Sequence, residues 1–268
     1  MDFFANLLRI LDTSMVTPIP YGWFHLLWLA ITVGSAILLC MLRPNPKKTV
    51  LAVAITVIIL EIYKQVNYSF SYEGGKILAD YQWYAFPFQF CSTPMYVGLL
   101  AGLTKPGKFH DTLCAYLATF AVFAGGAVML LPGDVFISTI GINIQTMICH
   151  GSMVSVGVYL LQSGYVKREH KTILKALPLF AVCVLIAAIM NDMAYLTGLL
   201  KTDVFNMFFI SPYCDPHLPV YSLVQQFVPY PLCLFIYILG FAAAAYLVLL
   251  AAIGIDRIAK KLPKKSTV

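Results

Sequence analysis

The feature that most constrains this chain is a succession of long apolar stretches, at about 22–42, 49–66, 84–104, 109–131, 141–163, 174–198 and 231–255. Crossing a hydrocarbon core of ~30 Å as an α-helix takes ~20 apolar residues, so each stretch can span, the second only just. Runs such as LAVAITVIIL, residues 51–60, lack the in–out alternation of a membrane strand, which excludes a β-barrel. Charged types make up 11% of the 268 residues and hydrophobic types 60%. Soluble domains carry about 25% charged residues, so an ordinary soluble enzyme, a disordered chain and a nucleic-acid-binding domain are excluded. The expectation is one all-α membrane domain over residues 1–268, with seven transmembrane helices.

Basic residues alternate between the connections. One set holds Arg43, Lys47 and Lys48, then Lys105 and Lys108, then Lys167, Arg168, Lys171 and Lys175, and in the tail Arg257, Lys260, Lys261, Lys264 and Lys265. The other set holds only Arg9, Lys76 and Lys201, while Lys64 falls near the end of a span. Positive-inside bias then places the N-terminus outside and the C-terminus in the cytoplasm, which requires an odd number of spans. An integral protein of a bacterial plasma membrane is expected. Residues 1–14 are too short to cross. Phe3, Phe4, Leu7, Leu8 and Leu11 recur there at helical spacing against Asp2, Asn6, Arg9 and Asp12, the pattern of an amphipathic helix on the outer surface. The outer loops 67–83, with the Gly74-Gly75 turn, and 199–230 are the long ones.

Polar residues inside spans are costly and are functional candidates by default. At 1.5 Å rise per residue, Cys91, His150, Glu61 and Asn191 all fall roughly 8–13 Å below the outer ends of their spans, with Gln89 and Gln145 slightly nearer the surface. Four helices thus contribute to one polar layer in the outer half.

Cys91 lies in FPFQFCSTP, residues 86–94. Pro87 suits a first helical turn, and Pro94 is expected to kink the helix beside Cys91. A helix N-terminus and a neighbouring imidazole favour a thiolate and burial opposes it, so reactivity requires a partner base. His150 is the one histidine within the core of a span. Its depth matches that of Cys91, which favours Cys–His nucleophilic chemistry over a purely interhelical hydrogen bond. Gly151 and Ser152 follow it and allow close helix approach, while Cys149 is turned about 100° from it and is expected to stay outside the site. Glu61 and Lys64, one turn apart, form either a self-satisfied ion pair or a head-group or proton site. Asn191 and Asp192 either join helices or orient His150 or a substrate carbonyl. Gln89, Ser92 and Asn191 are candidate donors to an oxyanion.

Span seven carries no lysine between Pro231 and Ile255, which excludes a retinal Schiff base there. The chain has no Walker motif, no GxGxxG and no HExxH. Cys214, Asp215 and His217 lack a recognised ligand spacing, and the scattered cysteines suit small apolar packing. No metal, cofactor, disulfide framework or nucleic-acid partner is expected.

FPFQFCSTPMYVGLLAGLT, AGGAVMLLPGDVF, QTMICHG, IAAIMND, TDVFNMFF and VPYPLCLFIYILGF follow in an order and spacing that resemble the YwaF family of polytopic membrane proteins, which includes transmembrane protein 164. The resemblance covers about residues 20–255. Its eukaryotic relatives include an acyltransferase making polyunsaturated ether phospholipids, with a cysteine nucleophile and a histidine. More distant, androgen-induced type relatives hydrolyse fatty-acid esters of hydroxy fatty acids, with threonine in place of cysteine. The resemblance implies Cys91 as nucleophile and His150 as base, with Asn191 and Gln89 as lesser matches. Asp192-Met193 departs from the apolar or aromatic continuation of many relatives.

The resulting expectation is a lipid acyltransferase or acyl hydrolase working through an acyl-cysteine, with phospholipid, lysolipid or acyl chain as partner. The alternative is a non-enzymatic transporter or lipid-binding protein using Glu61, Lys64 and Asp192. A third reading treats the polar groups as interhelical glue alone.

Overall fold

A computed structural model describes residues 2–198, 204–214 and 219–261. Lys201, Asp215, His217, Lys264 and Lys265 lie outside the described residues. The elements in order are α1 (Asp2–Leu11), α2 (Trp23–Leu42), α3 (Pro46–Asn67), β1 (Phe70–Glu73), β2 (Lys76–Ala79), α4 (Thr93–Leu103), α5 (Lys108–Ala118), α6 (Phe120–Leu130), α7 (Ile140–Gln162), α8 (Lys171–Thr197), α9 (Pro219–Gln225) and α10 (Tyr230–Lys261).

Among the described residues, six helical stretches are long and apolar enough to cross a membrane: α2, α3, α5 with α6, α7, α8 and α10. The third expected span, 84–104, departs from expectation. It is helical only over α4, a shorter apolar helix. The cause lies in the chain itself. Phe86, which precedes Pro87, is extended at φ −51 and ψ 134, as a residue before proline prefers. The rings of Phe86, Phe88 and Phe90 alternate along the chain and anchor on Phe205, Phe208 and Phe180 respectively. That is a spacing of two, which an α-helix does not present to one side. Pro94 then stands in the first turn of α4, where its missing N–H costs nothing. It starts the helix beside Cys91 instead of kinking one.

The span expected over 109–131 is broken at Thr119, whose φ −128 and ψ −75 leave the helical region. Its hydroxyl donates to the Ala115 carbonyl at 2.7 Å, a back-bond that bends helices. The loop expected over 67–83 contains an antiparallel hairpin, Phe70 opposite Ala79. Gly74 and Gly75 turn it with φ of +56 and +80, the paired left-handed geometry of a two-residue hairpin. α1 rests on this hairpin and on α3. Phe4 meets Phe70 edge-on at 5.8 Å, Arg9 covers the Tyr72 ring at 4.6 Å, and Tyr63 donates to the Leu11 carbonyl at 2.8 Å.

Hydrogen bonds tie the connections into two ends. At one end Tyr159 donates to the Pro44 carbonyl, His110 meets Tyr165 at 2.7 Å, and Arg168 pairs with Asp256 at 2.9 Å. The connections joined there are 43–45, 104–107 and 163–170, so this is the basic end. At the other end Met15 N donates to the Ser138 carbonyl and Ile140 N to that of Thr13.

α7 packs against α2, α3, α5 and α6. Glycines let its neighbours approach. A Cβ on Gly125 of α6 would stand 2.5 Å from the His150 carbonyl oxygen and 2.7 Å from Met153 Cβ. One on Gly151 would strike Thr32 of α2. Because the atom facing Gly125 is backbone, Gly125→Ala must push α6 and α7 apart. It is expected to cost about 1–3 kcal/mol, read as a fall in the thermal unfolding midpoint in detergent. Gly126→Ala, with nothing within 4 Å, is the matched control.

Candidate active site

The buried polar cluster is built on α3. Helical spacing brings Glu61, Lys64 and Gln65 to one side. Lys64 Nζ lies 2.8 Å from Glu61 Oε1. Gln65 Nε2 donates to the same oxygen at 2.7 Å and to the Ala85 carbonyl at 2.9 Å. Gln145 of α7 donates to Glu61 Oε2 at 3.2 Å. Tyr81, beyond the hairpin, donates to Gln65 Oε1 at 2.5 Å. Burial, with the Glu61 carboxylate near by, pushes the Tyr81 phenol up to about 12, so it keeps its proton and remains a donor. Both Glu61 oxygens are therefore occupied; the carboxylate joins α3 to α7, and Gln65 ties it to the 81–85 segment.

Cys91 sits in the irregular stretch just before α4 and is half-buried. Cys149 Sγ of α7 approaches its carbonyl oxygen at 3.9 Å. The thiol expected to stay outside the site thus approaches the Cys91 backbone. His150, the next residue, is 6% exposed. Its Nδ1 lies 2.7 Å from the Thr146 carbonyl. A carbonyl only accepts, so Nδ1 carries the proton, and in the neutral ring Nε2 is then a bare lone pair. That Nε2 is buried and has no hydrogen-bond partner among the described residues. Accordingly no hydrogen bond joins it to Cys91.

Gln89 and Asn191 do a different job from presenting free amides. Gln89 Nε2 donates to the Asn206 carbonyl and its Oε1 accepts from Phe208 N, both at 2.9 Å. Asn191, buried in α8, donates to the Met207 carbonyl at 3.1 Å and accepts from Met207 N at 2.8 Å. Together they hold residues 206–208, where Phe208 is fully buried in a left-handed conformation at φ +58. Such strain persists only when surrounding bonds over-determine it. Asn191→Ala would strip two buried backbone groups of their partners, at roughly 1–3 kcal/mol each. A lowered unfolding midpoint in detergent is the expected reading. Asp192 accepts from Tyr213 at 3.1 Å, away from this cluster, and Ser92 is buried at the start of α4.

A mainly apolar cavity between α3, α4 and α7 is lined by Cys149, Val57, Pro94, Met95 and Gly98. A neighbouring groove of about 370 Å³, between α2, α3 and α7, shares Val53, Ser152 and Val156 with it. Gln65 and Tyr81 were missing from the sequence expectation, and Cys149 was expected to stay outside the site. The four-residue step from Glu61 marks Gln65, but nothing local marks Tyr81, which the loop fold delivers. Among the described residues no group of three His, Cys, Asp or Glu is placed to hold a metal ion.

The architecture is that of a polytopic helical membrane protein with a thiol, an imidazole and a buried ion pair on adjoining elements. The chain belongs to the TMEM164 family, whose model matches residues 20–251. No curated protein and no solved structure matches it.

Proposed function

We propose that the protein is a membrane-embedded acyl-transfer enzyme in which Cys91 is the nucleophile and His150 the general base. One observation carries the reading: His150 Nε2 is a buried lone pair with no hydrogen-bond partner among the described residues, on the helix that lies against Cys91. An unpaired buried acceptor costs about 1–3 kcal/mol and calls for an occupant, and a thiol proton is one. In the reaction the Cys91 proton passes to Nε2 and Sγ attacks the carbonyl carbon of a lipid ester. The ester C–O bond breaks, and the leaving alkoxide takes the proton from His150. An acceptor hydroxyl, of a lysolipid or of water, then gives its proton to Nε2 and attacks the thioester. The C–S bond breaks and the thiol is restored. The groove of about 370 Å³ between α2, α3 and α7 suits an acyl chain, and the small cavity of about 40 Å³ beside Cys149 adjoins it. Absence of a direct Cys91–His150 bond at rest is compatible with this, since catalytic hydrogen bonds tighten in the substrate complex.

The basic end of the bundle fits the cytoplasmic side by positive-inside bias, which supports a position for Cys91 in the outer half of the bilayer. α1, with Phe3 and Ile10 exposed while Leu8 is buried, fits a helix lying on the outer surface with part of its apolar face in lipid.

The test is labelling by an acyl-chain-bearing thiol electrophile in detergent and in liposomes. Wild type and Cys149→Ala are expected to label, and Cys91→Ala to lose the label. Equal labelling of Cys91→Ala and wild type sinks the assignment.

A further inference from the structure

The basic end holds a second cluster that the acyl-transfer reading leaves unused. A cavity of about 250 Å³ opens between the first turns of α5 and α8 and the 163–170 connection. Its lining includes His110, Asp111, Cys114, Tyr165, Lys167 and Lys175. One wall is fixed. His110 is buried, with Nδ1 3.2 Å from Thr104 Oγ1, and Nε2 2.7 Å from Tyr165 Oη and 3.4 Å from Cys114 Sγ. Its ring is spent on protein partners, so it shapes the cavity and does not receive a ligand. The charges are in the opposite condition. Asp111 and Lys167 make no ion pair among the described residues. Lys175 has only a loose one, 3.6 Å from Glu169, with both side chains 43% exposed. The cavity also lies at the N-termini of two helices, α5 and α8, whose dipoles favour an anion.

A lone anion does not match this lining, because Asp111 would repel it. A ligand with a phosphate and an ammonium a few bonds apart satisfies both signs at once. We propose that this cavity seats the phosphoethanolamine head group of a membrane lipid, its phosphate between Lys167 and Lys175 and its ammonium on Asp111. Basic pockets between transmembrane helices bind the phosphates of anionic lipid head groups, and Lys167 and Lys175 supply that half of the recognition here. The aspartate adds the selection for a primary amine over a head group that lacks one. The site is at the opposite end of the bundle from Cys91 and does not depend on the acyl-transfer reading.

Native mass spectrometry of the full chain in detergent tests it, with phosphatidylethanolamine and phosphatidylglycerol of equal acyl composition offered together. Wild type is expected to retain phosphatidylethanolamine preferentially. Lys167→Ala and Lys175→Ala should each lower its retention about fivefold, and Asp111→Asn should abolish the preference over phosphatidylglycerol. All three residues are exposed, and unchanged unfolding midpoints identify the variants as folded. Three results overturn the proposal: phosphatidylglycerol retained as well as phosphatidylethanolamine by wild type, an unaltered preference in Asp111→Asn, or unaltered retention in both lysine variants. A fourth is saturation by soluble phosphoethanolamine with no competition from the lipid, which would make the ligand a free phosphoester.

Discussion

His150→Gln is expected to slow acyl transfer about a hundred- to ten-thousand-fold, the range lost with a general base. The expectation rests on the tautomer. Thr146 takes the proton of Nδ1 at 2.7 Å, so the ring offers one acceptor, Nε2, and a glutamine cannot accept and return a proton there. Thiol labelling provides a readout that a merely structural role would not move. Without its base, Cys91 must ionise unaided, so labelling of the variant should be weak near neutral pH and recover as rising pH generates thiolate. A variant that labels and turns over like wild type at neutral pH removes His150 from the mechanism.

The second large effect concerns stability. Glu61→Ala leaves the Lys64 ammonium and the amides of Gln65 and Gln145 aimed at an empty site. Lys64 is 16% and Glu61 8% exposed at the side chain. Breaking so buried a pair by removing one partner costs about 3–5 kcal/mol, whereas replacing both ions by apolar groups is often neutral. Glu61→Ala should therefore unfold far more readily in a detergent denaturation series than Glu61→Met combined with Lys64→Met. If the double variant is stable and still transfers acyl groups, the pair is structural. If it is stable and inactive while Cys91 still labels, the charge of Lys64 serves the chemistry. Transport into proteoliposomes that survives Cys91→Ala but is lost in Glu61→Gln would favour an ion pathway instead.

What could be read in advance follows from physics that is local in sequence. Apolar runs report on helices long enough to cross a membrane, and the long helices fall within a few residues of the stretches that predict them. Glu61 and Lys64 were legible as a pair because helix geometry alone brings residues three apart together. The same logic misplaced the start of the third span. FPFQF reads as apolar, but Phe86, Phe88 and Phe90 are spaced by two around a proline, and that spacing was the available sign of irregular backbone. The break at Thr119 has no comparable sign, since a threonine such as Thr56 makes the same back-bond within the unbroken α3. Nor could a helical wheel foretell that Cys149 would meet Cys91: once residues 86–92 leave the helix, Cys91 no longer has a wheel position. The duties of Gln89 and Asn191 were hidden because their partners lie in a loop without periodicity.

The two amide clamps also bear on how the chain is assembled. Gln89 is joined to Asn206 across 117 residues and to Phe208 across 119. While the ribosome is still making α5 to α8, the backbone at 206–208 does not exist, and the coil carrying Cys91 has nothing to close over it. Cys91 can acquire its final surroundings only late in biogenesis, after α8 is threaded and the following segment folds back. Chains halted before residue 205 should insert their early helices and yet expose that thiol to small water-soluble reagents.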